Sequence, residues 1–135
     1  MIDEKKPKRF DLGKLDKAKP AEEGRKLIVC DPDTGEDTGI SIVLRGTESE
    51  TYKRTARAQI NKYRNLPKSK MTIEQIEADA IELLAACTVS WENIDLDGAE
   101  LPCTRDNAAM LYTRFGWLRR LVDSFVADEA NYRRD

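Results

Sequence analysis

At 135 residues with a formal net charge of −2, the chain is about one domain long. Charged residues make up 36% of it and aromatics 7%, so its core is expected to be small and mostly aliphatic. Histidine is absent, which removes Ser–His and Cys–His nucleophile pairs, the commonest general base and most metal-ligand sets. No apolar run approaches the roughly 18 to 20 residues that cross a bilayer, and the N-terminus is charged where a signal peptide would be apolar. A soluble cytoplasmic protein that is not an enzyme is the expectation.

Cys30, Cys87 and Cys103 are odd in number and far apart, without the close spacing of a zinc site or a disulfide framework. All three are expected to be structural, Cys87 as a small hydrophobe on a helix face beside Leu83 and Leu84. No metal or cofactor is called for.

Residues 1–24 are charged, carry Pro7, Gly13, Pro20 and Gly24, and read as a flexible arm with Phe10 and Leu12 pinned to the domain. A single domain over residues 25–132 should follow. Arg25–Cys30 and Ile40–Arg45 are β-prone runs around a Pro/Asp/Gly cluster, the signal for a β-hairpin with a longer loop. Ile40, Ile42 and Leu44 alternate with Ser41 and Val43, so one face should be buried on helices. The loop's aspartates fail as a calcium site. With Asp31 first and Asp33 third, Gly35 falls fifth, Glu36 sixth and Ile42 twelfth, where an EF-hand needs a carboxylate, a glycine and a glutamate. Turn chemistry explains them instead.

Thr47 and Glu50 have the spacing of a capping box at the start of a helix whose stripe is Tyr52, Ala56, Ile60 and Tyr63, stopped by Pro67. Thr72 and Gln75 open the next helix, with Ile73, Ile76, Ala80, Leu83, Leu84 and Cys87 at helical spacing. An irregular connector, Trp91 to Pro102, carries the tight turn Asp97–Gly98. Thr104 then caps a helix bearing Ala108, Met110, Leu111 and Phe115, which Gly116 breaks or bends. Leu118, Leu121, Val122, Phe125 and Val126 mark the last helix. All these stripes read as core. The fold class is α+β, an N-terminal β-hairpin packed on a small bundle of about four helices.

Charge separates along the chain. Residues 48–70 hold seven basic against two acidic side chains, and residues 71–100 hold eight acidic and no basic ones. Three readings stay open: solvated faces of little consequence, faces that orient a protein partner, or a basic helix that grips nucleic acid. Only Tyr52 and Tyr63 interleave with the basic residues, and the acidic neighbour would repel phosphate. A carboxylate-pair active site at Asp95 and Asp97, with Asp106 and Trp91 nearby, competes with the simpler role of Asp97–Gly98 as a turn. No Walker loop, dinucleotide fingerprint or nucleophile elbow is present.

Several segments resemble the tail assembly chaperones of long, flexible-tailed bacteriophages. They are the hairpin Val29–Gly39, the helix start Ser49–Lys53, the block Trp91–Pro102, its continuation Thr104–Ala108 and the tail Val122–Tyr132. The resemblance covers roughly residues 25–132. It implies a small α+β protein that engages the tape-measure protein and tail-tube subunits in the infected host's cytoplasm and is absent from the finished virion. It implies no catalytic residue. Arg54, Arg57 and Arg64 on the basic helix, with Trp117 and Arg120 on exposed parts of the last helix, are the candidate partner contacts. Alternatives are a structural head–tail or minor tail component of the virion and a small nucleic-acid-binding regulator.

Overall fold

Leu27 and Val29 are buried while Lys26, Ile28 and Cys30 between and beyond them are exposed, the two-residue alternation of a strand with one face on the core. In the computed structural model, which describes residues 8–67 and 70–134, this strand is β1 (Arg25–Cys30). It pairs antiparallel with β2 (Asp37–Leu44), setting Leu27 opposite Ile42 and Val29 opposite Ile40. The expected hairpin is present, and Ile42 and Leu44 are fully buried. In its loop the Asp31 carboxylate accepts from the Asp33 backbone N–H at 2.8 Å and from that of Thr34 at 3.3 Å, while Gly35 adopts φ 79°. The loop aspartate is thus committed to its own turn.

A third strand was not foreseen. β3 (Thr88–Glu92) pairs antiparallel with β2 and sets Trp91 opposite Ile42, so Trp91 belongs to the sheet and not to an irregular connector. It begins directly where a helix ends at Cys87, without the Gly, Pro or Asn that usually separates elements. The rest of the connector forms a two-residue ladder, β4 (Asp95–Leu96) with β5 (Ala99–Glu100), closed by the expected Asp97–Gly98 turn. Both turn residues have positive φ, 52° and 88°, as a primed hairpin turn requires.

The expected arm is partly built into the body. Residues 1–7 lie outside the described residues, but Ala18–Glu23 form a short helix, α1. Its Pro20 stands in the first turn, where a missing N–H costs nothing, and Pro20 and Ala21 are buried. The Gly46 N–H donates to the Ala21 carbonyl at 3.0 Å, and the Thr51 hydroxyl donates to Glu22 at 3.1 Å. Phe10 and Leu12 are not pinned: they are 65% and 76% exposed. The anchor is the Pro20–Ala21 step.

Four longer helices complete the chain. α2 (Glu50–Lys62) is capped by Ser49, whose hydroxyl accepts from the Tyr52 N–H at 3.1 Å and donates to the Gly46 carbonyl at 2.6 Å. Thr47 is therefore not the cap. Ser49 is fully buried, and these two bonds satisfy a hydroxyl that has lost water. α3 (Ile73–Cys87) carries the expected capping box, with both the Thr72–Gln75 bonds formed. Thr104 caps α4 (Arg105–Arg114), and the chain turns at Phe115 into α5 (Gly116–Ala127). The core is the inner sheet face, Leu27, Val29, Ile42 and Leu44, packed against Leu84 of α3, Leu111 and Tyr112 of α4, and Val122 and Val126 of α5. The α+β class expected from the sequence holds, with five α-helices and three main strands among the described residues.

Candidate protein-docking site

The apolar stripes of α2 and α3 do not go where helical spacing would send them. None of the 13 residues of α2 is buried, and Ile60 is 70% exposed. On α3 the stripe divides. Leu84 and Cys87 are buried and Leu83 half-buried, whereas Ile73 is 77% exposed, Ile76 56%, and Ala80 faces solvent. The division follows from packing. Leu84 and Cys87 near its C-terminal end are in the buried core, while Asp79 and Glu82 near its middle make polar contacts with α2.

Those contacts explain why the isoleucines stay outside. Gln59 Nε2 donates to the Asp79 carbonyl at 2.8 Å and to Glu82 at 3.1 Å, and Lys62 pairs with Asp79 at 3.5 Å. The Lys62 ammonium is held above its ordinary value by Tyr63 first and Asp79 second. A polar seam joins the two helices, and among the described residues nothing covers the apolar edge at Ile73 and Ile76. Leu66, in the connection, adds to the exposed apolar surface at the same end of the hairpin.

Ile73, Ile76, Ala80, Leu83 and Cys87 recur at intervals of three and four. That is the narrow seam of a helix that packs on one other helix. Half of the seam is filled by the protein's own core, and half continues into solvent. Glu74 and Glu77 flank the exposed half, Glu77 lying 3.4 Å from Arg119 of α5. The arrangement can accept an amphipathic helix in line with the seam.

The residues singled out from the charge pattern occupy two places. Arg54 and Arg57 are exposed on α2, whereas Arg64, expected on the same helix, is exposed in the turn that follows its end at Lys62; Arg57 pairs with Glu50 at 3.2 Å and Arg64 lies 3.5 Å from the Asn61 side-chain oxygen. Lys68 of the basic run lies outside the described residues. On α5 Arg120 is exposed, but Trp117 is half-buried and packs against the core, because α5 turns its first turn toward the sheet. Sequence reasoning missed Ile60, Ile73 and Ile76 as surface residues, having assigned every stripe to core. A signal lay in the long connection, residues 63–72, which separates the two helices by more than a tight turn.

Other candidate chemistry resolves into structure. Asp97 occupies the turn and pairs with Arg114 at 3.2 Å. Cys87 is fully buried and its thiol is pushed up to about 12 by desolvation, so it stays protonated. Cys30 and Cys103 are free and exposed. Each sits at an element edge, Cys30 at the outward position closing β1. Among the described residues no group of three or more His, Cys, Asp or Glu could hold a metal, and no helix is long and apolar enough to cross a membrane. Compared with known proteins, the chain matches no family model, no curated protein and no solved structure.

Proposed function

We propose that this chain is a phage tail assembly chaperone, which binds the tape-measure protein and tail-tube subunits during tail morphogenesis in the host cytoplasm and is left out of the mature virion. The observation that supports it is the seam on α3, with Ile73 and Ile76 exposed beside a buried continuation. A tape-measure protein is long, helical and aggregation-prone until its tube surrounds it. A short apolar edge flanked by charge can cover a stripe of such a helix and later release it. Burying an isoleucine is worth about 1.5–3 kcal/mol, so Ile60, Ile73 and Ile76 together yield a gross gain that an association cost of about 4 kcal/mol or more largely offsets. The complex is weak and exchangeable, as a chaperone requires. The basic face of α2 with Arg54 and Arg57 supplies orientation through charge.

Co-expression with the tape-measure protein and recovery of the pair is the direct test. Ile73→Ser with Ile76→Ser should abolish recovery, and charge reversal of Arg54 and Arg57 should weaken it. Undiminished recovery of both variants removes this surface from the function. Stoichiometric presence of the chain in purified particles would assign it to the virion as a head–tail or minor tail component instead.

A further inference from the structure

Trp117 walls an apolar cleft of about 140 Å³ between the sheet, the β4–β5 connector and the α4–α5 junction. Val29, Leu111 and Leu118 form its buried floor, and Leu96 and Phe115 stand half-buried beside Trp117. An apolar cavity of about 150 Å³ holds a benzene ring, so this one takes a single large apolar side chain. Ile94 and Asp95 form one wall and are shared with a second cleft that bears Glu92, Asp95 and Glu100. None of these three acids forms an ion pair among the described residues. An apolar slot thus borders an acidic groove, and its ligand is an apolar side chain with positive charge next to it.

The chain carries such a segment. Lys8 and Arg9 precede Phe10, and Phe10, Leu12 and Leu15 are 65%, 76% and 57% exposed. We propose that the Lys8–Arg9–Phe10 segment of one copy docks on a second copy, Phe10 in the apolar slot and the basic pair along Glu92, Asp95 and Glu100. Reach favours a second copy over the same one. Lys17 Nζ bonds the Glu129 carbonyl at 3.3 Å, fixing the arm's root beyond the C-terminal end of α5, whereas the slot lies at its first turn. A helix of 12 residues is about 18 Å long. From Lys17 to Phe10 the chain includes the 3-10 turn Leu12–Leu15 and spans about 18 Å, with no slack to round the surface. Reciprocal exchange closes a two-fold dimer, with the same slot used twice.

Sedimentation of the full chain over a concentration series tests this. Wild type should dimerise, and Phe10→Ala should weaken the dimer at least tenfold with an unchanged melting temperature. Lys8→Glu with Arg9→Glu should do the same, and adding Asp95→Lys and Glu100→Lys to that variant should restore the dimer. A monomer at every concentration, a dimer indifferent to Phe10→Ala, or a charge swap without rescue overturns the proposal. So does a concentration-independent change in tryptophan emission on Phe10→Ala, which would place the arm in its own slot.

Discussion

The Tyr132 hydroxyl donates to the Leu44 carbonyl at 3.1 Å, closing the fold between residues 88 apart in sequence. The ring meets Phe125 edge-on at 5.8 Å and lies so near Gly46 that a Cβ there would stand 2.9 Å from it. The C-terminal turn at Tyr132 is therefore part of the core, because Gly46, two residues past the end of β2, has no side chain to exclude the ring.

Replacing either partner measures that closure. Tyr132→Phe deletes one buried hydrogen bond and should cost about 0.5–1.5 kcal/mol. Gly46→Ala forces the ring aside and should cost about 1–3 kcal/mol. Urea denaturation of both variants is the check. If each stays within about 0.3 kcal/mol of wild type, the C-terminal turn is not docked.

Alkaline pH should unfold this protein earlier than its charge balance suggests. Burial pushes Cys87 from 9.0 up to about 12, and pushes Tyr112 from 10.0 up to about 12 even though its bond to Thr88 pulls it back. Both groups are neutral in the native state and ionise first in the unfolded one. Stability is full below the unfolded values and falls as pH rises through 9.0 and then 10.0. Each group contributes a slope of about 1.4 kcal/mol per pH unit. Urea midpoints of wild type and Cys87→Ala across this range separate the two: the variant should hold its midpoint until the tyrosine begins to ionise. Parallel curves would mean that the thiol is not buried.

Caps discriminate between what four residues decide and what the whole fold decides. The Thr72–Gln75 box was legible because both its bonds run between neighbours in sequence. At α2 two hydroxyls competed, and the sequence pattern favoured Thr47. Ser49 prevails because the Gly46 turn buries it, a fact that depends on Tyr132 and α1 arriving from elsewhere. Ser49→Ala should therefore cost about 1–2 kcal/mol and Thr72→Ala about 1 kcal/mol, with Thr47→Ala close to zero. Equal losses at Thr47 and Ser49 in thermal melts would return the cap to Thr47.

The same distinction accounts for the remaining differences between sequence and fold. Alternation within Ile40–Leu44 identified the hairpin and its buried face, since a strand's two sides are set by its own geometry. β3 escaped notice because it abuts α3 at Cys87 and Thr88, with no turn residue to announce it. Helical spacing found the four longer helices but not the short α1. It could not say which apolar edges would meet a neighbour, and so Ile73 and Ile76 were read with Leu84 although only Leu84 is covered. Of the candidate contacts, the α2 arginines were correctly placed at the surface, while Trp117 was not, because the direction in which α5 enters is set by the turn at Phe115.

Ile73 and Leu84 share one helix and one seam, yet their substitutions should behave in opposite ways. Leu84 is 3% exposed, and Leu84→Ala should cost about 2–5 kcal/mol through lost burial and the cavity left behind. Ile73 is 77% exposed, and Ile73→Ser with Ile76→Ser should change stability by no more than about 0.5 kcal/mol per site, as for surface positions away from any packed neighbour. The double variant should also lose helix-partner binding and be less prone to self-association at high concentration, since exposed apolar edges serve interaction and not folding. Paired thermal melts and light scattering decide the matter. A large loss of stability in the Ile73/Ile76 variant would mean that the α3 edge is covered within the monomer, and the docking surface would have to be sought elsewhere on the protein.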